Sequence, residues 1–276
     1  MGRWEATPLY RGGSGEPLVV LHGGGATWRL WKPAIEFLEP HFEVLAPTLP
    51  GHWGGPELPP GPLASPQVLV DAVERTLDDA GVATAHVAGG SLGGWLALEL
   101  GRRGRARTVV AIAPAGGHRI GGFAQRLLVW EYVTMQRLAS LLARRPERWT
   151  RSATMRKLLL WHHFGHPERL EPYEAAHLLV GLTQCAPFKD LAAAMRDYDV
   201  VAGLSDIRCP VLLAFPQTDW VLPRRFHGRR FIEALPDAEV IELPGVGHAA
   251  MADDPRLVAT TIQDFIARRE RRPVAA

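Results

Sequence analysis

The sequence predicts an α/β fold, a doubly wound and mostly parallel sheet with an all-helical insertion. Short continuous apolar runs such as Leu18–Leu21 and Thr108–Ala113 are typical of strands buried on both faces. Helical patterns alternate with these strands, as parallel sheets require. The insertion is predicted because residues 118–200 contain no convincing strand but several stretches with apolar residues at helical spacing.

The elements of the N-terminal half are apolar runs bounded by turn residues. A first strand is expected within residues 4–10, and the glycines and serine between Arg11 and Pro17 indicate a turn. Each later helix is bounded by a cap residue, a proline or a glycine. The further elements expected here are the helices Trp31–Leu38 and Ser65–Ala80 and the strands Leu18–Leu21, Phe42–Ala46 and His86–Ala88.

After the strand Thr108–Ala113 the alternation stops, and it resumes near residue 210. We therefore expect a core of residues 1–116 and 201–276 and a helical cap of residues 117–200. Within the cap the expected helices are Gln125–Leu142, Arg156–Phe164 and Tyr173–Leu182. The core then continues with the strands Pro210–Phe215 and Glu239–Leu243 and the helices Arg224–Leu235 and Pro255–Arg269.

Composition and charge restrict the classes of partner. The 276 residues carry a net charge of only +2, and the basic residues are dispersed, so nucleic-acid binding is not expected. Neither a signal peptide nor a membrane-spanning run is visible, so we expect a cytoplasmic protein without a membrane partner. Cys185 and Cys209 are expected to be thiols, and a homodimer is one oligomeric state open to the chain.

The stretch Val87–Gly94 organises the site. It contains the pattern Gly-x-Ser-x-Gly, with Ser91 between the end of a buried strand and the start of a helix. A serine at so tight a turn sits at a strained backbone angle, and only small residues fit at Gly89 and Gly93. This strand–turn–helix context is the one that the nucleophile elbow requires. We therefore predict that Ser91 is a nucleophile.

Two more candidates follow later strands, Asp219 after Pro210–Phe215 and His248 after Glu239–Leu243. The carboxyl ends of parallel strands share one edge of the sheet, so these side chains and Ser91 are expected to converge. His248 would act as the base that activates the serine, and Asp219 would orient it. The backbone N–H groups of Gly24, in a glycine run after the strand Leu18–Leu21, and of Leu92 would form an oxyanion hole.

With these motifs the chain resembles the α/β-hydrolase superfamily, in its capped, single-domain bacterial form. The resemblance extends from Pro17 to the last helix and implies Ser91 as nucleophile, Asp219 as acid and His248 as base. Three positions depart from the common pattern. Gly90 stands where many members carry a larger residue and leaves extra space beside the nucleophile; Thr48 replaces an aspartate and Pro216 a glycine. A serine nucleophile distinguishes the chain from the dehalogenases and epoxide hydrolases of the fold, which use aspartate.

The expected function is hydrolysis of a carboxylic ester or thioester, without cofactor or metal, on a small, moderately apolar substrate. The histidines at positions 162, 163 and 166 do not have the spacing of a metal site. Trp130, Trp149, Trp161, Tyr132 and Met135 are cap residues of which two or three are expected to face substrate. The predicted substrate-binding residues are Gly25, Trp28, Trp130, Tyr132 and Trp220.

Three alternatives remain open at this point. A carbon–carbon bond hydrolase would use the same three residues but needs a polar pocket, which Arg126, Arg137 or Arg156 of the cap could supply. A cofactor-free perhydrolase also shares this layout. A non-catalytic protein of the same fold would trap a small apolar ligand under the cap, and would leave Ser91 unlabelled by a fluorophosphonate probe.

Overall fold

The computed structural model describes residues 6–58, 65–119, 121–185 and 198–271. A seven-stranded sheet lies at its centre, and its strands are β1 (Leu9–Gly13), β2 (Glu16–Leu21), β3 (Phe42–Pro47), β4 (Ala85–Gly90), β5 (Ala106–Ile112), β6 (Val211–Pro216) and β7 (Glu239–Leu243). Their order is β1-β3-β2-β4-β5-β6-β7. All neighbours are parallel except β1, which is antiparallel to β3. The predicted fold class, a mostly parallel α/β sheet, is confirmed.

Helices cover both faces of the sheet, which explains the continuous apolar strands. On β2, Leu18 and Val20 belong to one apolar core cluster, whereas Val19 and Leu21 belong to the other. All four side chains are fully buried. The helices are α1 (Lys32–Leu38), α2 (Gln67–Asp79), α3 (Leu92–Arg102), α4 (Phe123–Leu142), α5 (Pro146–Thr150), α6 (Ala153–Leu160), α7 (Pro172–Gln184), α8 (Arg224–His227), α9 (Arg229–Ala234), α10 (Ala250–Asp253) and α11 (Pro255–Glu270).

Three predicted elements differ from the structure, and one of them, the helix expected at Arg156–Phe164, lies at Ala153–Leu160. The first strand was expected within residues 4–10, of which 1–5 lie outside the described part, but β1 runs from Leu9 to Gly13. Its glycines extend the strand because Gly12 pairs with Val44, and the turn begins only at Gly13, where φ is +78°. The helix expected over residues 224–235 is divided into α8 and α9 at Gly228. A Cβ there would come within 2.8 Å of the Phe215 ring.

The helices α4 to α7 form a segment over the carboxyl edge of the sheet, and residues 120 and 186–197 of the predicted cap lie outside the described part. Between residues 121 and 185 the chain contains these helices and a short 3-10 turn, Pro167–Arg169, but no strand. In none of the described ranges is a helix both long and apolar enough to cross a bilayer. Cys185 is buried and Cys209 half-buried, and both are free thiols.

Candidate active site

Ser91 occupies the turn between β4 and α3 in a conformation that few non-glycine residues adopt. Its φ is +55° and its ψ −118°. The backbone is held there from both sides, because the Ser91 N–H donates to the Ile112 carbonyl at 2.9 Å and its carbonyl accepts from Ala115 at 3.0 Å. Such strain persists only where the surrounding structure fixes it. The turn therefore holds the Ser91 side chain at the end of the sheet.

The glycines of the elbow leave no room for a side chain. A Cβ on Gly93 would collide with the Leu21 carbonyl oxygen of the neighbouring strand, and one on Gly89 would collide with the Gly93 carbonyl. At Gly90 the structure corrects an expectation, because the space beside the nucleophile is not open. The Met251 methyl group lies 2.5 Å from where a Gly90 Cβ would stand.

Asp219 and His248 meet beyond the ends of β6 and β7. Asp219 Oδ2 lies 2.8 Å from His248 Nδ1, while its Oδ1 accepts the backbone N–H groups of Val221 and Leu222, both at 2.8 Å. Burial raises the pKa of the Asp219 carboxyl, but the charge and hydrogen bond of His248 and these two N–H groups outweigh burial. Its pKa therefore lies below the ordinary value, and Asp219 is ionised at neutral pH.

Ser91 and His248 open on one cavity of about 220 Å³ between the sheet edge and the helices α4, α6 and α7. Of the other residues predicted from the sequence, Gly24, Gly25, Leu92 and Tyr132 line this cavity as well. Asp219 is buried behind His248 and fixes its Nδ1 side. Because Asp219 occupies the Nδ1 side of the His248 ring, the Nε2 side is the one that faces the cavity.

Three tryptophans predicted to bind substrate do not line the cavity. Trp28 is buried against Tyr10, with ring centroids 4.8 Å apart, and its indole N–H donates to Thr7 Oγ1. Trp130 lies on the outer side of α4, and Trp220 is exposed next to residues that do face the cavity, Val221 and Leu222. Aromatic character alone did not distinguish an inward from an outward position on helix α4 or in the loop after β6.

Apolar side chains form nearly the whole cavity wall. Eight leucines of α4, α6 and α7 contribute to it, together with Met135, Phe164 and Met251. Among the residues described, no Asp, Glu, Lys or Arg side chain lines it. The polar side chains that do so are Ser91, His118, Gln125, Tyr132, His163 and His248. A site of this composition favours a neutral, apolar ligand.

The glycine loop after β2 is positioned by His22, whose role the sequence did not reveal. His22 Nε2 accepts the Leu49 backbone N–H at 2.8 Å, so Nδ1 carries the proton and donates to the Gly23 carbonyl at 2.7 Å. Burial, and next the neighbouring His52, holds the pKa of His22 well below its ordinary value. At Gly25 the backbone is left-handed, with φ +77°, and a Cβ would fall on the Tyr132 hydroxyl.

Two further residues tie the helical segment to the histidine loop, and no sequence signal pointed to them. Asp253 accepts backbone N–H groups from Gly165 at 2.6 Å and Gly247 at 2.7 Å, which joins the loop after α6 to the loop before His248. The His163 carbonyl accepts from Ala249 at 2.9 Å, and its ring lies 6.3 Å from that of His248. Burial, with the charge of His248 nearby, lowers the pKa of His163 to about 3.

A group of side chains with the chemistry of metal ligands lies at the opposite, amino-terminal edge of the sheet. Within the described ranges, the ligand atoms of Glu16, His86 and Glu270 lie within 4.8 Å of one another. Arg107 Nη1 is 2.7 Å from Glu16, and Thr108 Oγ1 is 2.9 Å from His86 Nδ1. The Arg107 cation already offsets carboxylate charge there, and the group does not belong to the cavity.

The amino-acid sequence is similar to those of known hydrolases. A model of the Alpha/beta hydrolase family matches residues 18–261. Epoxide hydrolase EphH of Mycobacterium tuberculosis is 33% identical over 216 residues, 73% of this chain and 95% of that protein. A pimeloyl-[acyl-carrier protein] methyl ester esterase of Aromatoleum aromaticum is 30% identical, over 90% of this chain and 97% of its own.

A solved structure shares the fold at lower identity. The enol-lactonase from Burkholderia xenovorans LB400 superposes with a TM-score of 0.72 at 23% identity, covering 94% of this chain and 95% of that one. The named relatives are hydrolases, and the family model spans most of the sheet and the helical segment. The chain therefore belongs to the α/β-hydrolase family and is a hydrolase.

Proposed function

We propose that this hydrolase cleaves a neutral carboxylic ester or thioester with a moderately apolar acyl or alcohol part, through an acyl-enzyme on Ser91. One observation carries the proposal: Ser91 at the elbow and His248, held by Asp219 at 2.8 Å, open on the same apolar cavity. A nucleophile, its base and the group that orients the base are thereby available to one substrate.

In this mechanism Ser91 Oγ attacks the carbonyl carbon while His248 Nε2 takes the hydroxyl proton. The proton then passes from His248 to the departing alkoxide or thiolate as the carbonyl–heteroatom bond breaks. Water attacks the resulting acyl-serine with His248 again as base, and the carboxylic acid leaves. Asp219, ionised and hydrogen-bonded to Nδ1, holds the tautomer in which Nε2 is free and stabilises the imidazolium.

The carbonyl oxygen gains negative charge in both attacks, and two backbone groups are candidates to stabilise it. Leu92 is the first residue of α3, so its N–H has no acceptor within the helix and lies at the positive end of the helix dipole. Gly24 belongs to the loop that His22 positions, and both residues line the cavity. Each such donor is worth about 3 kcal/mol of transition-state stabilisation.

The composition of the cavity wall supports the choice of a neutral substrate. In this proposal the helical segment α4–α7 is the cap that covers the substrate. A carbon–carbon bond hydrolase for an acidic substrate needs a cation in its pocket, but Arg126 and Arg137 are exposed and line no part of the cavity. Arg156 is buried, and its guanidinium donates to the Thr150 and Glu168 carbonyls. The wall therefore favours neutral substrates. The similarity to a methyl ester esterase supports the same class.

The similarity to an epoxide hydrolase favours a second candidate reaction, but Ser91 opposes it. A carboxylate that opens an epoxide forms an ester, which water can hydrolyse. A serine hydroxyl would form an ether, which has no carbonyl for water to attack, so the enzyme would stop after one turnover. We therefore expect no sustained epoxide hydrolysis.

The test uses p-nitrophenyl esters and coenzyme A thioesters of graded chain length, together with a fluorophosphonate probe. The proposal predicts turnover of neutral apolar esters and labelling of Ser91. A protein that binds these esters without turnover and leaves Ser91 unlabelled would be the non-catalytic alternative. Sustained turnover of a styrene oxide or of a vinylogous diketone in preference to esters would replace the proposal with one of the other reactions.

A further inference from the structure

The outer face of α4 is apolar and exposed, which is unusual for the surface of a helix. Phe123, Leu127, Trp130 and Leu141 are 80%, 47%, 65% and 67% exposed. At ~100° per residue, these four side chains fall within about 60° of arc on the 20-residue helix. We call Phe123, Leu127, Trp130 and Leu141 the outer stripe.

The inner face of the same helix faces the cavity, so the outer stripe is not a displaced core face. Leu128, Val129, Tyr132, Met135 and Leu142 line the cavity from the inner side. A helix with one buried face normally presents polar residues to solvent. Phe123, Leu127 and Trp130 adjoin one another near the start of α4, and the exposed Thr134 separates them from Leu141. An exposed apolar surface that no buried contact requires marks an interaction site.

Cations border the outer stripe. Arg126 and Arg137 project from α4 on one side of it, and Arg144, Arg145 and Arg148 follow the C-terminal end of the helix. All five are exposed, and no described carboxylate forms an ion pair with Arg126 or Arg137. An apolar face bordered by arginines complements an interface with acyl chains below and anionic headgroups around them.

A second copy of this chain fits the surface less well. A symmetric dimer uses the same patch on both subunits, so the arginines of one α4 would approach those of the other. Like charges brought together at an interface oppose association. The charge pattern thus selects an anionic lipid surface over a self-interface.

We propose that the outer stripe of α4, with Arg126 and Arg137 beside it, docks the protein on an anionic lipid surface. This binding stands apart from the proposed hydrolysis, since it involves no residue of the cavity chemistry. It revises the expectation of no membrane partner, which considered only segments that span a bilayer. Docked in this way, the chain holds its apolar cavity directly behind the helix that contacts the lipid.

The test measures sedimentation of the full-length protein with vesicles of phosphatidylcholine, with and without about one-third phosphatidylglycerol. Ser91→Ala serves as a second background in which vesicle lipids cannot be hydrolysed. We expect partition onto the anionic vesicles that weakens at high salt. Phe123→Ser/Leu127→Ser/Trp130→Ser should lower it by about 100-fold or more. Arg126→Gln/Arg137→Gln should lower it about 30-fold, since each of the two cations near the surface contributes about 1 kcal/mol.

The matched charge control is Arg229→Gln, a side chain 81% exposed outside α4, which should leave partition unchanged. Trp130→Phe keeps the apolar surface but removes the indole, so partition should persist while the vesicle-induced blue shift of fluorescence declines. Unchanged melting temperatures and unchanged hydrolysis of a soluble ester show that the stripe variants are folded.

Several results would overturn the proposal. One is absence of partition by the folded protein, and another is partition that the stripe variants do not weaken. A third is a dimer by light scattering that the stripe variants dissociate, which would assign the surface to a second copy of the chain. Loss of hydrolysis with retained vesicle binding would instead overturn only the proposed function.

Discussion

The carboxyl edge of the sheet and the helical segment α4–α7 enclose the same cavity, but Gly93 at the edge and Gly181 in α7 differ in the space around them. At the sheet edge a single added methyl group at Gly93 would meet the Leu21 carbonyl. In the helical segment a Cβ at Gly181 would find only ordinary contacts, the nearest at 3.4 Å. The edge also contains the strained Ser91 and the buried Asp219–His248 pair. Under the proposed function, we expect bond cleavage at the edge and substrate selection by the helices.

Ser91→Ala should give the largest effect of any change, because it removes the proposed nucleophile. We expect turnover of a p-nitrophenyl ester to fall by about 10⁶. The melting temperature should change little, since the turn is held by backbone hydrogen bonds that alanine retains. Retention of more than a few per cent of wild-type turnover would mean that Ser91 is not the nucleophile and that the bond is not broken at the sheet edge.

Asp219→Asn tests the orienting carboxylate and should lower turnover by about 10⁴, since an amide favours the wrong imidazole tautomer. Asp253→Asn is the matched control, because Asp253 also accepts backbone N–H groups near His248 but does not contact the ring. That variant should lose stability more than turnover. Equal losses of turnover in the two variants would mean that Asp219 only holds the loop that carries His248 and does not orient the imidazole ring.

Gly93→Ala sharpens the packing contrast. The new methyl group would collide with the backbone of β2, so we expect the free energy of unfolding to fall by about 3 kcal/mol or more. Gly181→Ala, inside α7 with space available, should be neutral or stabilise by up to about 1 kcal/mol, because alanine favours the helix. Chemical denaturation of both variants gives the comparison, and similar destabilisation in the two would contradict it.

Selectivity for acyl chain length should depend on the inner face of α4. Met135→Ala enlarges the cavity, so kcat/KM should rise for longer esters relative to shorter ones. The change in this selectivity should correspond to about 1 to 3 kcal/mol. Trp130→Ala, on the same helix but facing away, should leave the chain-length profile unchanged. Labelling of Ser91 by the fluorophosphonate should persist in both. A profile that responds to Trp130 and not to Met135 would place the substrate elsewhere.

The smallest effect concerns His163, whose carbonyl accepts the Ala249 N–H and so joins the helical segment to the sheet edge. Its pKa of about 3 lies below the unfolded value of 6.5, so only the unfolded chain takes up a proton between these values. His163 thus contributes stability that is complete above pH 6.5 and is lost as pH falls toward 3. Between pH 7 and pH 5, His163→Gln should lose less free energy of unfolding than wild type, by about 1 to 2 kcal/mol. Parallel pH profiles would exclude this linkage.

Much of the sheet edge could be predicted because it depends on local signals. The elbow glycines flank Ser91 in the sequence, and Asp219 and His248 each follow an apolar strand whose carboxyl end lies at this edge. The inward or outward direction of Trp28, Trp130 and Trp220 could not be predicted, because it depends on how helices and loops pack across the fold. Asp253 was missed for the same reason: its partner Gly165 is distant in sequence.

The role of Ser91 as nucleophile is tested most directly by rapid-quench mass spectrometry of the protein during turnover of a p-nitrophenyl ester. We predict a burst of p-nitrophenol, an intact mass increased by one acyl group, and a peptide that assigns this group to Ser91. Ser91→Ala should show neither burst nor adduct. Turnover without any adduct in wild type or an acyl group on a different residue would contradict the claim that Ser91 carries the reaction.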